Sequence, residues 1–284
     1  MSATHAGRVR PGDHLCLPFA SEVEQREVVS AFIADGLRRG ERVLYFTDRT
    51  NPEALDAWLD PRGVDGALAI ARGQLEVRGA DGRDGFDPAE VVGGIRDAVR
   101  DARAAGFQGL RLTGEMSWAL RGVPGATKLH EYESGVSSTV VDSGDLAAVC
   151  QYDERLFERA DLTRLVSVHH GVVCIDPLHD DRQLRIVPTY SPRGLRIAGV
   201  VDDATAAPLA DALQQAAAWP TGEPVLVLDL AELTFIDVAG IRALVRFAES
   251  VAPERRVQVR HMPTAMRKVL HIARWTLPDA DESP

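Results

Sequence analysis

The sequence predicts an α/β chain of two units, an N-terminal doubly wound sheet and a smaller C-terminal α/β domain. From His14 to Ile175, extended apolar runs alternate with helix-periodic stretches, the order that builds a parallel sheet covered by helices on both faces. The same alternation restarts in shorter elements after Pro192. A length of 284 residues exceeds one ordinary domain and suits two.

The elements follow in order. His14 to Phe19 reads as a strand. Glu22 to Arg39 reads as a helix, with Val28, Val29, Phe32, Ile33, Gly36 and Leu37 at three-to-four spacing. The Gly40-Glu41 turn feeds the apolar strand Arg42 to Thr47, completing a β-α-β unit. A helix over Pro52 to Leu59 and a strand over Gln74 to Arg78 come next. Pro88 then opens a helix to Ala104, where its fixed φ and missing donor cost nothing. Leu110 to Thr113, Leu146 to Gln151 and Val172 to Ile175 are strands, with helical patterns over Lys128 to Thr139 and Glu154 to Val168 between them.

Pro177, Pro188 and Pro192, with the polar run His179 to Gln183, mark a boundary. Residues 1–180 are read as the first domain, 181–192 as a linker and 193–278 as the second domain. The second comprises the strand Leu195 to Val201, an Ala/Leu-rich helix Asp203 to Ala218 capped by Asp202 or Asp203, and the strands Val225 to Leu230 and Leu233 to Ile236. The helix Val238 to Ser250, the strand Val257 to His261 and the helix Pro263 to Trp275 finish it, before a loose acidic tail from Asp279 to Pro284.

Composition excludes several classes. The net charge is −10, and both halves are acidic: 22 basic and 30 acidic residues precede Val187, and 10 and 12 follow. Neither half offers the positive surface that phosphate-backbone binding requires, so no direct nucleic-acid partner is expected. No apolar run reaches the 18 or so residues of a membrane span, and Met1 to Pro11 is polar, which predicts a cytoplasmic protein with no membrane partner. Cys16, Cys150 and Cys174 are odd in number and form no CxxC pair, so they are expected as buried thiols.

Motifs for chemistry are few. A phosphate-binding loop needs glycines between the first strand and its helix, and Leu17 to Glu24 has none and carries Glu22 and Glu24. Gly122 to Lys128 has the wrong spacing for such a loop. His14 with Cys16, and His169 and His170 with Cys174, are residue types that bind metals, but scattered His and Cys in an α/β core are usually packing residues; no metal, no cofactor and no catalytic residue is assigned. Ligands of open α/β sheets sit at the carboxyl ends of strands, which predicts a crevice involving Glu115, Trp118 and Tyr132.

The second unit, from Pro188, resembles the STAS family of anti-sigma-factor antagonists. The resemblance rests on Leu195 to Asp202 and on Val227 to Gly240, which contains Phe235-Ile236-Asp237-Val238-Ala239-Gly240. It implies an anti-sigma factor or serine-kinase-type regulator as partner, docking on Asp237, Val238, Ala239 and Gly240. In that family a serine follows the aspartate and is phosphorylated by the partner. Valine occupies that position here and has no hydroxyl. A bulky residue at Gly240 is expected to block docking without unfolding the chain.

The first unit resembles the MEDS family of sensory domains, which is distantly similar to RecA-like ATPases that have lost their phosphate loop. The carrying residues are Gly12-Asp13-His14-Leu15-Cys16, Gly40 to Phe46, Gly114 to Leu120, Tyr132-Glu133, and Cys150 to Asp153 with Phe157. The resemblance implies a RecA-like sheet without a phosphate loop and a small-molecule ligand, with His14, Glu115, Trp118, Tyr132 and Glu133 as the ligand-binding candidates. The resulting expectation is a non-enzymatic signalling regulator. The competing readings are a nucleotide-binding ATPase and a homo-oligomeric scaffold.

Overall fold

The computed structural model describes residues 2–79, 85–219, 224–252 and 254–279. The chain divides into two compact units, Met1–Ile175 and Asp176–Pro284.

In the first unit the chain runs β1 (Ser2–His5), β2 (His14–Phe19), α1 (Glu22–Arg38), β3 (Arg42–Thr47), α2 (Leu55–Leu59), α3 (Gly66–Ala71) and β4 (Leu75–Gly79). It continues with α4 (Pro88–Ala104), β5 (Leu110–Glu115), α5 (Leu129–Ser143), β6 (Leu146–Asp153), α6 (Arg159–Ser167) and β7 (Gly171–Cys174). The seven strands pair in the order β1-β7-β2-β6-β5-β3-β4, every pair parallel. β1 is an addition to the sequence reading. Its polar Ser-Ala-Thr-His carries no apolar signal, and its strand form comes from pairing with β7.

Period-two alternation sorts the side chains of this sheet. Leu15, Leu17, Val43, Tyr45, Ala147 and Val149 pack with Val28, Phe32 and Ile33 of α1 on one face. Cys16, Leu44, Leu112, Ala148, Cys150 and Tyr152 pack with α4, α5 and α6 on the other. Through the first layer runs Arg111, whose side chain is fully buried. Its guanidinium bonds Glu41, Asp35 (2.7 Å) and the carbonyls of Phe32 (2.8 Å) and Val9 (3.2 Å). Gly36 makes room for it, since a Cβ there would lie 2.5 Å from Arg111 Cδ.

The second unit contains β8 (His179–Asp180), β9 (Leu184–Tyr190), β10 (Arg193–Val201), α7 (Ala206–Ala217), β11 (Val225–Asp229), β12 (Leu233–Ile236), α8 (Val238–Val251), β13 (Arg256–Arg260) and α9 (Thr264–Ala273). The sheet order is β13-β11-β10-β9-β8, with β12 also on β10. The segment 181–192, expected as a linker, is instead mostly β9, antiparallel to β10. Leu184, Ile186 and Pro188 alternate inward along it. Pro188 disguised the strand, because proline cannot donate to a ladder. Asp202 caps the start of the next helical segment, accepting from Ala204 and Thr205 N–H while the Thr205 hydroxyl accepts from the N–H of Asp202. Tail residues 280–284 lie outside the described residues.

Candidate functional site

Two cavities border the carboxyl ends of the first sheet's strands. One, about 330 Å³, lies between residues that follow β2, β3, β5 and β6, among them Gln25, Arg49, Trp58, Ser117 and Asp153. A RecA-type nucleotide would need a phosphate cradle at the junction of β2 and α1. There Ser21 Oγ caps α1 by accepting from Glu24 N–H (3.2 Å), and the Glu24 carboxylate accepts from Ala20 N–H (3.0 Å). The protein's own carboxylate thus occupies backbone that an anion would use, and burial pushes its pKa up.

The other cavity, about 230 Å³, is apolar. Phe46, Ile95, Leu112, Met116, Trp118 and Tyr132 line most of it. Phe86 links its two aromatic walls, with ring centroids 4.7 Å from Trp118 and 5.5 Å from Tyr132. Glu115, Trp118 and Tyr132 all line this cavity. Glu115 is nevertheless committed elsewhere. It accepts from the N–H groups of Asp48 (3.0 Å), Arg49 (2.6 Å) and Thr50 (3.2 Å) and from the Tyr45 hydroxyl (2.7 Å), so its carboxylate fixes the loop after β3.

His14 and Glu133 do not line this cavity; they lie behind it in a buried polar cluster with Cys150, Tyr152 and His169. The fold assembles it from four elements. His14 on β2 and Cys150 on β6 share a sheet face through the register His14↔Ala148 and Cys16↔Cys150. Glu133 sits inside the buried stripe Leu129, Tyr132, Val136 and Val140 of α5. His169 stands in the turn between α6 and β7. The His14 Nε2 is 3.3 Å from Glu133 Oε2 and 3.4 Å from Cys150 Sγ. His169 Nε2 is 3.5 Å from the same carboxylate oxygen, and Cys150 Sγ is 3.2 Å from it.

Second partners fix the tautomers. The Ser137 hydroxyl donates to Val168 O (2.8 Å) and so accepts from His14 Nδ1–H (2.7 Å). His169 Nδ1 donates to Leu165 O (2.7 Å). Both imidazoles accordingly turn their Nε2 atoms into the cluster, and that of His169 makes no hydrogen bond among the described residues. Burial drives the His169 pKa down to about 4 despite Glu133 beside it. Burial alone would raise Glu133, but His14, His169 and Tyr152 outweigh it and hold the carboxyl below its usual range. Burial also pushes the Cys150 and Tyr152 groups well up, with Glu133 adding to it. The resting state is an ionised carboxylate facing a neutral imidazole, a thiol and a phenol. Cys174 lies away from this cluster, 3.4 Å from His5 Nδ1.

Sequence reasoning missed Cys150 as a partner of His14. The available signals were a glutamate inside an apolar helical stripe and a His-x-Cys strand facing Cys-x-Tyr at the same period.

In the second unit, Asp237 caps α8, with Oδ1 accepting from Gly240 N–H at 2.7 Å. Val238 is 51% exposed and Phe235 53%, and Ala239 is also exposed. Gly240 corrects the sequence expectation. It is buried, and a Cβ there would lie 2.5 Å from Val201 Cγ1 and 2.9 Å from Ile236 Cγ1, so a bulky residue would disturb the core itself.

With this geometry in hand, comparison with known proteins is direct. Residues 13–170 match the family model described as MEDS, the methanogen/methylotroph, DcmR sensory domain. The chain belongs to the MEDS family. The matched span holds both cavities and the buried cluster. After the MEDS domain, residues 189–276 match a STAS model of the Mlab type. The pairing of a sensory domain with a STAS domain is the composition of a signal-transduction protein. Over 159 residues the chain is 27% identical to the transcriptional repressor DcmR of Methylorubrum extorquens, covering 55% of this chain and 58% of that protein. The chain thus spans less than two thirds of that relative's length. A KaiC-like protein from Pyrococcus horikoshii OT3 is 16% identical, with a TM-score of 0.43 over 66% of this chain and 79% of that one. Among the described residues no helix is long and apolar enough to cross a membrane.

Proposed function

We propose that this protein is a non-enzymatic regulator in which the MEDS domain takes a small apolar molecule and the STAS domain docks a protein partner through the start of α8. The observation that carries the reading is the exposed apolar pair Phe235 and Val238 flanking the Asp237 cap. In the anti-sigma-factor antagonists that the second unit resembles, the phosphorylated serine follows the aspartate that Asp237 matches. A phosphate there would add about −1.5 to −2 charge at a helix start. Valine presents apolar surface instead and has no hydroxyl to accept a phosphoryl group. Docking would therefore not be switched off by a kinase acting at this position. Control would come from a ligand that binds two arrangements of the chain unequally. The partner chemistry this favours is an anti-sigma factor or serine-kinase-type regulator acting in the cytoplasm.

The test is a binding measurement on the full chain with such a partner, comparing the native sequence with Val238→Asp. A new carboxylate on an exposed side chain leaves the fold intact and should abolish the complex. Unchanged affinity would remove α8 from the interface. The rival ATPase reading predicts heat on titration with ATP and Mg²⁺. The Glu24–Ala20 contact argues for none.

A further inference from the structure

The cluster behind the apolar cavity has a feature that packing alone does not resolve. Two imidazole Nε2 atoms and the Cys150 sulfur converge on one carboxylate oxygen, the two nitrogens at 3.3 and 3.5 Å from it. The Cys150 thiol donates its single hydrogen to that oxygen at 3.2 Å. Nε2 of His169, on a side chain with no exposure, makes no hydrogen bond among the described residues. A buried acceptor left without a partner destabilises the fold unless something binds it. What fits between these atoms is a cation.

We propose that His14, Glu133, Cys150 and His169 form a four-ligand site for a zinc-type divalent ion in the core of the MEDS domain. The donor atoms all lie within 4.8 Å of one another. Metal–ligand distances of about 2.0–2.1 Å for N and O and about 2.3 Å for S give a tetrahedron with edges of about 3.3 to 3.6 Å. Four of its six edges are 3.2, 3.3, 3.4 and 3.5 Å, close to these values, and the two from His169 Nε2 to His14 Nε2 and to Cys150 Sγ lie within 4.8 Å. Charge closes as well. A dication with one carboxylate, one thiolate and two neutral imidazoles sums to zero, which a site with no solvent exposure requires.

The supporting shell is in place. Ser137 holds the Nδ1 of His14, the Leu165 carbonyl holds the Nδ1 of His169, and the Tyr152 hydroxyl bonds the other oxygen of Glu133, leaving Oε2 to ligate. The donor set selects the ion class. Nitrogen and sulfur disfavour Mg²⁺ and Ca²⁺, and the carboxylate disfavours Cu⁺. Four protein ligands leave no open position, so the ion's part is structural: it ties β2, α5, β6 and the turn before β7 together. Cys150 also lines the apolar cavity, so the ion would fix one of its walls.

The experiment uses the full chain, stripped with a chelator and titrated anaerobically with Co²⁺. Expected are one ion per chain, the visible absorption of tetrahedral cobalt, and a near-ultraviolet thiolate-to-cobalt band that Zn²⁺ abolishes by displacement. That band should vanish in Cys150→Ser and persist in Cys16→Ser and Cys174→Ser. In His169→Gln the affinity should fall by more than the roughly tenfold to hundredfold that a lost supporting partner costs. A thiolate band that survives Cys150→Ser, or binding equal in the native and His169→Gln chains, overturns the proposal. Should Cys150→Ser fail to fold, X-ray absorption of the zinc-loaded native chain decides. One sulfur and three N/O neighbours support the site, whereas a shell without sulfur, or no binding, overturns it.

Discussion

Asp237 closes the first turn of α8 by accepting the Gly240 N–H at 2.7 Å, so the residue between the exposed Phe235 and Val238 also holds in place the helix that presents Val238. Replacing a capping aspartate by alanine typically costs about 0.5–2 kcal/mol. Asp237→Ala should therefore destabilise the second unit by about 1 kcal/mol, while Asp237→Ser should retain most of the stability. Urea unfolding of the full chain followed by circular dichroism measures both. Equal midpoints for the Ala and Ser variants would show that the cap contributes nothing.

Gly240 behaves differently from its neighbour Val238. A side chain at 240 meets Val201 and Ile236 in the core, whereas Val238 is exposed. Overpacking of this kind costs typically 1–3 kcal/mol. Gly240→Val should lower the unfolding midpoint, and Val238→Ser should leave it within about 0.5 kcal/mol of the native value. Thermal unfolding of the two variants side by side checks the contrast, and a Gly240→Val chain as stable as the native one would refute it.

These residues show where sequence reading succeeds and where it stops. The apolar runs of β2 and β6 and the three-to-four stripe of α1 are local patterns, and these elements were legible from them. Glu115, Trp118 and Tyr132 met in one cavity because strand ends and the turns after them are placed by topology. The His14–Cys150 contact joins residues 136 positions apart and depends on β2 lying beside β6, a neighbour relation that no local pattern encodes. β9 was hidden by Pro188, and the burial of Gly240 by the packing of Val201 across from it.

Arg111 is a fully buried cation held by Glu41 and Asp35. Removing one partner of a buried pair leaves the other charge uncompensated, at about 3–5 kcal/mol. Arg111→Met should strand Glu41, which is buried, and destabilise the first unit by that amount. Adding Glu41→Gln should recover part of the loss, since the stranded charge is then gone. Denaturant unfolding of the two single variants and the double variant measures the coupling, and strict additivity would contradict it.

The apolar cavity should accept small molecules. About 150 Å³ suffices for benzene, so about 230 Å³ admits something larger. Tyr132 lines this cavity, so its hydroxyl is the donor to test against a ligand acceptor. With benzyl alcohol as probe, Tyr132→Phe should weaken binding by about 2- to 10-fold, from a hydrogen bond of about 0.5–1.5 kcal/mol. Tryptophan fluorescence should respond in the native chain and lose that response in Trp118→Phe. A response unchanged by Trp118→Phe would place the probe elsewhere.

Asp181 gives the second unit a defined acid limit. Its carboxylate accepts the N–H groups of Leu184 and Gln183 and pairs with His179, and these contacts lower its pKa from 3.8 to about 2. Because the folded-state value is depressed, the contribution is fully present above about pH 4 and is lost as pH falls through about 2. The fold binds the charged form more tightly, and the unfolded chain takes up the proton first. Asp181→Asn lacks this dependence. The native chain should therefore be the more stable of the two at pH 5, with the difference shrinking between pH 4 and 2 as the turn between β8 and β9 loses its charged acceptor. Guanidinium unfolding at pH 5, 4, 3 and 2 reads the difference directly, and a gap that stays constant to pH 2 would mean that the turn holds Asp181 no better than the unfolded chain does.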